Sequence, residues 1–183
     1  MQVVTTDRQQ LERLFREGGF ADFRWIRPAD IVVAQWVRMK CQYGCPEYGT
    51  NVACPPNNPS VAECERFFRE YSEAAIFHFA KTEPDEEARR RWSRPLNAKL
   101  FTLERAVFLS GHRKAFMLPM GSCPHCEECV GHPGECRLPG SARPTAEGLA
   151  VDVYSTAHAV GYPIEVLTDL SQPMNRYAIL LID

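Results

Sequence analysis

Two groups of cysteines carry the clearest chemical signal in this sequence. The denser group lies in a loop rich in Gly and Pro, and it consists of Cys123, Cys126, Cys129 and Cys136. Its spacings of two, two and six residues let the backbone curl and present each sulfur to one centre, as in continuous cysteine runs that hold iron–sulfur clusters. The spacing predicts a metal site with four thiolate ligands and favours a [4Fe–4S] cluster.

The ligand type alone leaves the metal open, because soft thiolates select zinc, copper(I) or iron–sulfur clusters. Structural zinc sites usually divide their ligands into two pairs, whereas these spacings overlap in one continuous wrap. Iron–sulfur is therefore favoured, with zinc as the alternative. His125 and His132 lie in the same loop and could act as ligands, as in Rieske centres. With four cysteines present, we expect both histidines to be exposed loop residues.

The second group has one thiol fewer. Cys41, Cys45 and Cys54 are spaced by three and eight residues, and no further cysteine follows in that loop. Three thiolates on a [4Fe–4S] cluster would leave one iron open to water, substrate or a small ligand, and an open metal position permits chemistry. Alternatively, Cys136 crosses over to complete this cluster, as in two-cluster ferredoxins. Cys64 is a weaker candidate, because we expect it to be a small buried hydrophobe in the next helix.

The elements around these loops alternate between strands and helices. Helices are predicted from Thr6-Asp7 to about 17, from Ser60 with its capping partner Glu63 to about 71, over 85–110 with a break or kink at Pro95, and over 144–159. Strands are predicted over 31–38, 74–80, 115–120, 164–167 and 177–182. The pattern predicts one α/β domain, residues 1–183, with a mixed sheet of about five strands flanked by helices. Both cysteine loops would follow strands, and neighbouring strands would bring them to one edge of the sheet.

Composition excludes several classes of protein. The 183 residues are 45% hydrophobic and 24% charged, and 21 basic side chains nearly balance 23 acidic ones. A basic stripe for nucleic acid is therefore not expected, and no apolar run approaches the length of a membrane span. The first residues do not read as a signal peptide. Eight cysteines in a chain with no export signal favour metal or redox chemistry in a reducing cytoplasm over disulfides.

These observations predict an iron–sulfur protein with two [4Fe–4S] clusters that acts in electron transfer or redox chemistry. Its partner would be a redox protein or a small-molecule substrate, with no nucleic acid and no membrane. One alternative is an enzyme that binds its substrate at the open iron, for sulfur removal or reduction. The other is a zinc-binding structural or interaction module. The sequence has no phosphate-binding loop, nucleophile elbow or metalloprotease motif.

Several motifs are specific when they are taken together: Trp36-Val37-Arg38, Lys40-Cys41, Tyr43-Gly44-Cys45, Cys54-Pro55-Pro56, the four-cysteine run with Arg137 and Arg143-Pro144, Gly161-Tyr162-Pro163 and Asn175-Arg176-Tyr177. Over nearly the whole chain they resemble the predicted metal-binding family called domain of unknown function 2284. The resemblance implies an iron–sulfur protein of anaerobic bacteria and archaea. It also implies that the seven cysteines of the two groups are the ligands and leaves Cys64 outside. It implies no particular reaction.

Overall fold

The computed structural model of the protein describes residues 7–169 and 171–183. Its helices are α1 (Arg8–Glu17), α2 (Gln35–Gly44), α3 (Val61–Phe68), α4 (Glu86–Leu109) and α5 (Val153–Ala159). Its strands are β1 (Phe23–Ile26), β2 (Glu73–Lys81), β3 (Phe116–Leu118) and β4 (Met174–Ile182). Short 3₁₀ turns lie at Pro28–Asp30, Pro133–Glu135 and Glu147–Leu149. Thr6, where the first helix was expected to open, lies outside the described residues, and Asp7 caps α1.

One sheet organises the fold, in the strand order β1-β2-β4-β3. The central strands pair over their full length, from Glu73 opposite Ile182 to Lys81 opposite Met174. All three pairings are antiparallel. The α/β class is therefore confirmed. In the described residues the sheet has four antiparallel strands, where about five strands in a mixed sheet were expected.

The two faces of the sheet bury alternate residues, since successive strand side chains point to opposite sides. On one face Phe77 and Leu180 pack with Phe15 of α1 and Leu100 of α4. On the other face Ile76 and Ile179 join a second cluster that includes residues of α3 and α5. Helices thus cover both faces, and the cysteine segments lie beyond the strands. The extent of the domain over residues 1–183 stays a prediction.

The strand expected over 31–38 is wrong. Only Val33 makes a strand-like bridge, to Val151, and α2 begins at Gln35. The apolar run at 31–34 suits a strand, but the following residues are mostly good helix formers, and a short apolar run does not separate the two states. As a result, Cys41 lies in the last turn of a helix and does not follow a strand.

Three other elements differ from expectation. Residues 164–167 do not form a strand, and the fourth strand is instead β1 near the N-terminus. The helix expected over 144–159 is a 3₁₀ turn followed by α5. The chain between them passes through Ala150, which has a left-handed φ of 62°. A left-handed residue of this kind ends a regular helix.

Helix α4 continues through Pro95 for 24 residues, where a break or kink was expected. Pro95 and Arg91 are both exposed, so water can satisfy the carbonyl that the proline leaves without a donor. The buried face of α4 includes the polar residues Ser93, Asn97 and Glu104. In the part of the chain that the structure describes, no helix is both long and apolar enough to cross a membrane.

Candidate metal centres

The four thiols of the denser group surround one small space. We call residues 120–143, between β3 and the Glu147 turn, the four-cysteine loop. Cys123, Cys126, Cys129 and Cys136 all line a cavity of about 10 Å³, which is room for about one water molecule. Burial raises the pKa of Cys123, and the charges of the other three thiolates raise it further. A metal bound here would have to displace thiol protons.

Helix α4 holds the beginning of this loop through Asn97. The Asn97 amide donates to the Met120 carbonyl oxygen at 2.7 Å, and its oxygen accepts from the Met120 N–H at 3.1 Å. Asn97 is only 1% exposed. Because both backbone groups of Met120 are satisfied by one buried side chain, the chain enters the loop in a fixed position.

The same helix holds the end of the loop through Glu104. Arg143 donates to Glu104 from Nε at 3.0 Å and from Nη2 at 2.8 Å, and both side chains are largely buried. Such a bidentate pair has a restricted geometry. Arg143 also donates to the carbonyl oxygens of Gly140 and Ala142. Arg143 therefore fixes the end of the loop by contacts within the protein.

The three thiols of the other group lie in the last turn of α2 and in the loop after it. We call residues 41–59 the three-cysteine segment. Cys41 lies in the last turn of α2, and Cys45 caps the helix with its N–H donating to the Cys41 carbonyl oxygen at 3.4 Å. Cys54 follows in the loop, where its N–H donates to the Asn51 carbonyl oxygen at 3.1 Å. Burial, then the charge of Glu47, then the neighbouring thiolates, including those of Cys45 and Cys41, raise the pKa of Cys54 to about 12. The three thiols are thus close enough for the charges of their thiolates to interact.

Asparagine side chains fix the loop that carries Cys54. The Asn51 side chain accepts from the Ala53 N–H at 3.0 Å. The Asn58 amide donates to the Ala53 and Gly148 carbonyl oxygens at 3.1 and 2.9 Å. Rigid placement of this kind is what a metal ligand on a loop needs.

The structure brings the two cysteine segments into direct contact. The Val52 N–H points at the Cys129 sulfur, 3.4 Å away, and the Asn57 amide donates to the Gly131 carbonyl oxygen at 3.0 Å. Gly131 has a left-handed φ of 74° and lies against the backbone of Thr50. The two cysteine loops were expected to lie close together, and they do. The loop that carries Cys54 follows helix α2, however, and not a strand.

A large cavity opens beside the three-cysteine segment, and we call it the open cavity. It has a volume of about 900 Å³, and its lining includes Cys41, Cys45, Trp36, Glu147 and Arg176. The Cys41 sulfur lies 4.0 Å from the Glu147 carbonyl oxygen. Burial raises the pKa of Cys41 most, with a further contribution from Cys45, while Arg38 opposes the shift. A molecule in the open cavity would therefore lie next to two of the three thiols.

The remaining candidate residues have local roles. Cys64 is 1% exposed in the core beside Phe68, which fits its expected place as a small buried hydrophobe. The His125 ring donates from Nε2 to the Ser141 carbonyl oxygen at 2.8 Å. The His132 ring accepts from the Gly134 N–H at 3.3 Å. Neither histidine is needed as a ligand when four thiols surround one cavity.

All eight cysteines are free thiols. Across residues 7–169 and 171–183, no three His, Cys, Asp or Glu side chains are arranged to hold a metal ion. The donor set still fits a thiophilic centre, because four thiols face one cavity and three more lie beside it. The assignment of the seven cysteines as ligands stays a prediction.

Several residues that position the site were missed from the sequence. Asn97 and Glu104 lie on the same face of α4 as Leu100 and Val107, and polar residues on an apolar face could have signalled them. Asn57 gave no such signal, because the residue that it contacts lies far along the chain.

Comparison with known proteins gives a family. The family described as "Predicted metal-binding protein (DUF2284)" matches residues 24–182, so the chain belongs to this family of predicted metal-binding proteins. The search of curated proteins and the search of solved structures found no match. The resemblance noted in the sequence is confirmed.

Proposed function

We propose that this protein is an iron–sulfur redox protein with two [4Fe–4S] clusters. The cysteines of the four-cysteine loop would hold one cluster, and Cys41, Cys45 and Cys54 would hold the other. When bound, the clusters would supply one-electron transfer, and the iron without a cysteine ligand would supply a coordination position for a substrate. The thiol-rich composition suits a reducing cytoplasm, which we propose as the compartment.

One observation carries this proposal: the three-cysteine segment lies between the four-cysteine loop and the open cavity. Val52 of that segment contacts Cys129, while Cys41 and Cys45 line the open cavity. The four thiols that share one small cavity would suit a saturated cluster that exchanges electrons with a redox partner. The thiols of Cys41 and Cys45, which border the open cavity, would suit a cluster that meets a small molecule. The substrate position would thus be reached from solvent, and electrons would arrive from the opposite side.

Metal and sulfide analysis of protein purified without oxygen tests the proposal. We expect about eight iron and eight acid-labile sulfide per chain, with broad visible absorption that fades on reduction. Cys126→Ser and Cys45→Ser should each retain about four of each, because each removes a ligand from a different cluster. Protein that contains zinc and no labile sulfide, or variants that lose both clusters or neither, would contradict the assignment.

A zinc ion in the four-cysteine loop is the second candidate function, as part of a structural module. The sharing of one cavity by four thiols favours it, because four thiolates are a common structural zinc site. Colourless protein with about one zinc per chain, retained under reduction, would support this candidate.

A further inference from the structure

Arg176 of β4 lies where the open cavity meets the sheet. Strand β3 pairs with β4 only from Ile179 to Leu181, so the earlier part of β4 has no partner on that edge. Arg176 lines the open cavity there. Gly121, with a left-handed φ of 74°, allows the backbone to cross directly over the guanidinium. A Cβ at this glycine would stand 2.9 Å from Arg176 Nη2.

A second guanidinium lies nearby without a partner. Among the residues that the structure describes, buried Nε and Nη2 of Arg89 form no hydrogen bond. In the same residues, no carboxylate forms an ion pair with Arg89 or Arg176. Burial lowers the pKa of Arg176, Arg89 lowers it further, and Glu147 opposes the shift. Both arginines are half-buried, and of the two only Arg176 lines the open cavity. A cation there without an ion-pair partner favours an anionic ligand.

The acidic residues of the open cavity do not fill that role. Asp152 caps α5, and its oxygens accept from the N–H and hydroxyl of Ser155 at 3.1 and 2.6 Å. Glu147 and Glu165 are exposed, so water solvates their carboxylates. The positive charge at the inner end of the cavity is therefore available to a ligand.

The rest of the lining is largely apolar. Side chains of Trp36, Ile164, Val166 and Met174 face the space, and Trp36 and Val166 are exposed. Lys40 also lines the cavity, with its Nζ 5.3 Å from the centre of the Trp36 ring. A largely apolar wall with a few charged groups is typical of sites for organic ligands. Inorganic anions would leave this wall in contact with water.

We propose that the open cavity binds an organic carboxylate with an apolar body, whose carboxylate is held by Arg176. Guanidinium groups match carboxylates in a bidentate geometry. The inference rests on the proposed function, because it takes the cavity beside Cys41 as the substrate site. It adds the chemical class of that substrate.

The test compares two molecules of the same shape, 1-naphthoate and the neutral 1-naphthamide, by isothermal titration calorimetry on anaerobically purified full-length protein. We expect the wild-type protein to prefer the naphthoate. Arg176→Gln should weaken naphthoate binding by about tenfold or more and leave naphthamide binding unchanged. Arg94→Gln removes an exposed arginine of α4 that does not line the cavity, and it should change neither affinity.

A second variant, which should strengthen naphthoate binding, distinguishes loss of the site from loss of the fold. Glu147→Gln removes an exposed carboxylate of the cavity lining, whose negative charge would repel that of the ligand. We therefore expect naphthoate to bind about twofold to threefold more tightly. Naphthamide binding should not change. If Arg176→Gln does not fold, this variant alone decides the question. Equal affinities for the two molecules in the wild-type protein, equal losses for both in Arg176→Gln, or a weaker naphthoate complex in Glu147→Gln would each overturn the inference.

Iron and sulfide content, measured on the same preparations, separates this inference from the proposed function. Charge-selective binding in protein without iron or sulfide would leave the carboxylate site standing and overturn the redox function. Protein that contains both clusters but shows no preference for naphthoate would support the redox function and overturn the carboxylate site.

Discussion

The four-cysteine loop and the three-cysteine segment differ in how the protein encloses their thiols. Helix α4 fixes both ends of the four-cysteine loop, through Asn97 and Glu104, and its thiols face a cavity of about 10 Å³. The three-cysteine segment is fixed by asparagines on one side and borders about 900 Å³ of open space on the other. The two groups of cysteine thiols thus border spaces of very different size.

This difference teaches that the number of thiols and the size of the neighbouring cavity change together in this protein. The four thiols of one group share a cavity of about 10 Å³, and two of the three thiols of the other group border about 900 Å³. A saturated centre gains nothing from solvent access, whereas an unsaturated one needs a route for the molecule that completes it. Mutations that affect one region and spare the other are therefore the sharpest tests of the comparison.

The largest effect is expected from Glu104→Ala, which breaks the pair that holds the end of the four-cysteine loop. It leaves Arg143 largely buried without its carboxylate, so we expect the free energy of unfolding to fall by about 3 kcal/mol in urea titrations. The four-cysteine loop should lose its metal first. As a control, Glu87→Ala breaks the exposed pair with Arg91 and should cost less than about 1 kcal/mol. An equal loss of metal from the three-cysteine segment would contradict the separation of the two regions.

Asn97→Ala tests the beginning of the same loop. It leaves the Met120 N–H and carbonyl without partners, and we expect a loss of about 2 kcal/mol in the free energy of unfolding. Ser93→Ala is the matched control on the same face of α4, because the Ser93 hydroxyl bonds only within the helix. Equal stability losses in the two variants would show that Asn97 does not hold the loop.

Asn57→Ala tests the joint between the two regions. It removes the hydrogen bonds from the Asn57 amide to the Gly131 and Asn51 carbonyl oxygens. We expect a loss of about 1 kcal/mol in the free energy of unfolding and faster hydrogen exchange at the Val52 amide, which faces Cys129. Asn58→Ala removes bonds that do not reach the four-cysteine loop, and it should leave exchange at Val52 nearly unchanged. Unchanged exchange in Asn57→Ala would mean that the loops are joined by other contacts.

Cys64→Ala separates burial from ligation. We expect the loss of a small buried side chain to cost about 1 kcal/mol and to leave the metal content of the protein unchanged. Elemental analysis beside a urea titration measures both quantities. Loss of metal from the three-cysteine segment would make Cys64 its fourth ligand.

The smallest effect lies outside both regions, at Asp22. Burial raises the pKa of this carboxyl, but hydrogen bonds from Tyr162 and His78 outweigh burial and bring it below its ordinary value of 3.8. The contribution to stability is complete above that value and is lost as the pH falls through the folded pKa. Because Asp22 is exposed, we expect it to be under about 1 kcal/mol. Asp22→Asn should reduce the acid sensitivity of unfolding below about pH 4, and a steeper acid dependence in the variant would contradict this.

Local signals predicted much of the fold. The Ser60–Glu63 capping box opens α3 as expected, and the apolar strand residues around Ile76 and Ile179 lie at the centre of the sheet. The sequence around Ile31 and Val37 gave a wrong strand prediction, because strand-like residues there lead directly into a helix. Local propensity is a weak guide where an apolar run is short.

The candidate site was only partly predictable. The grouping of the cysteines follows from their spacing, but the contact between the groups depends on pairs such as Asn57 and Gly131, which are 74 residues apart. The role of Arg176 depends on β3 ending early, which leaves one edge of β4 open. Such features arise from tertiary packing, and no local pattern encodes them.

The attachment of the four-cysteine loop to α4 also bears on the order in which the protein matures. Both loop ends are fixed by protein groups alone, through Asn97 and Glu104, so the entropy of loop closure is spent during folding of the polypeptide. Metal affinity then need not supply that free energy, unlike in small domains that fold only around their ion. Folding would come first and loading second. The protein would then already hold both ends of the loop in place before any metal is bound.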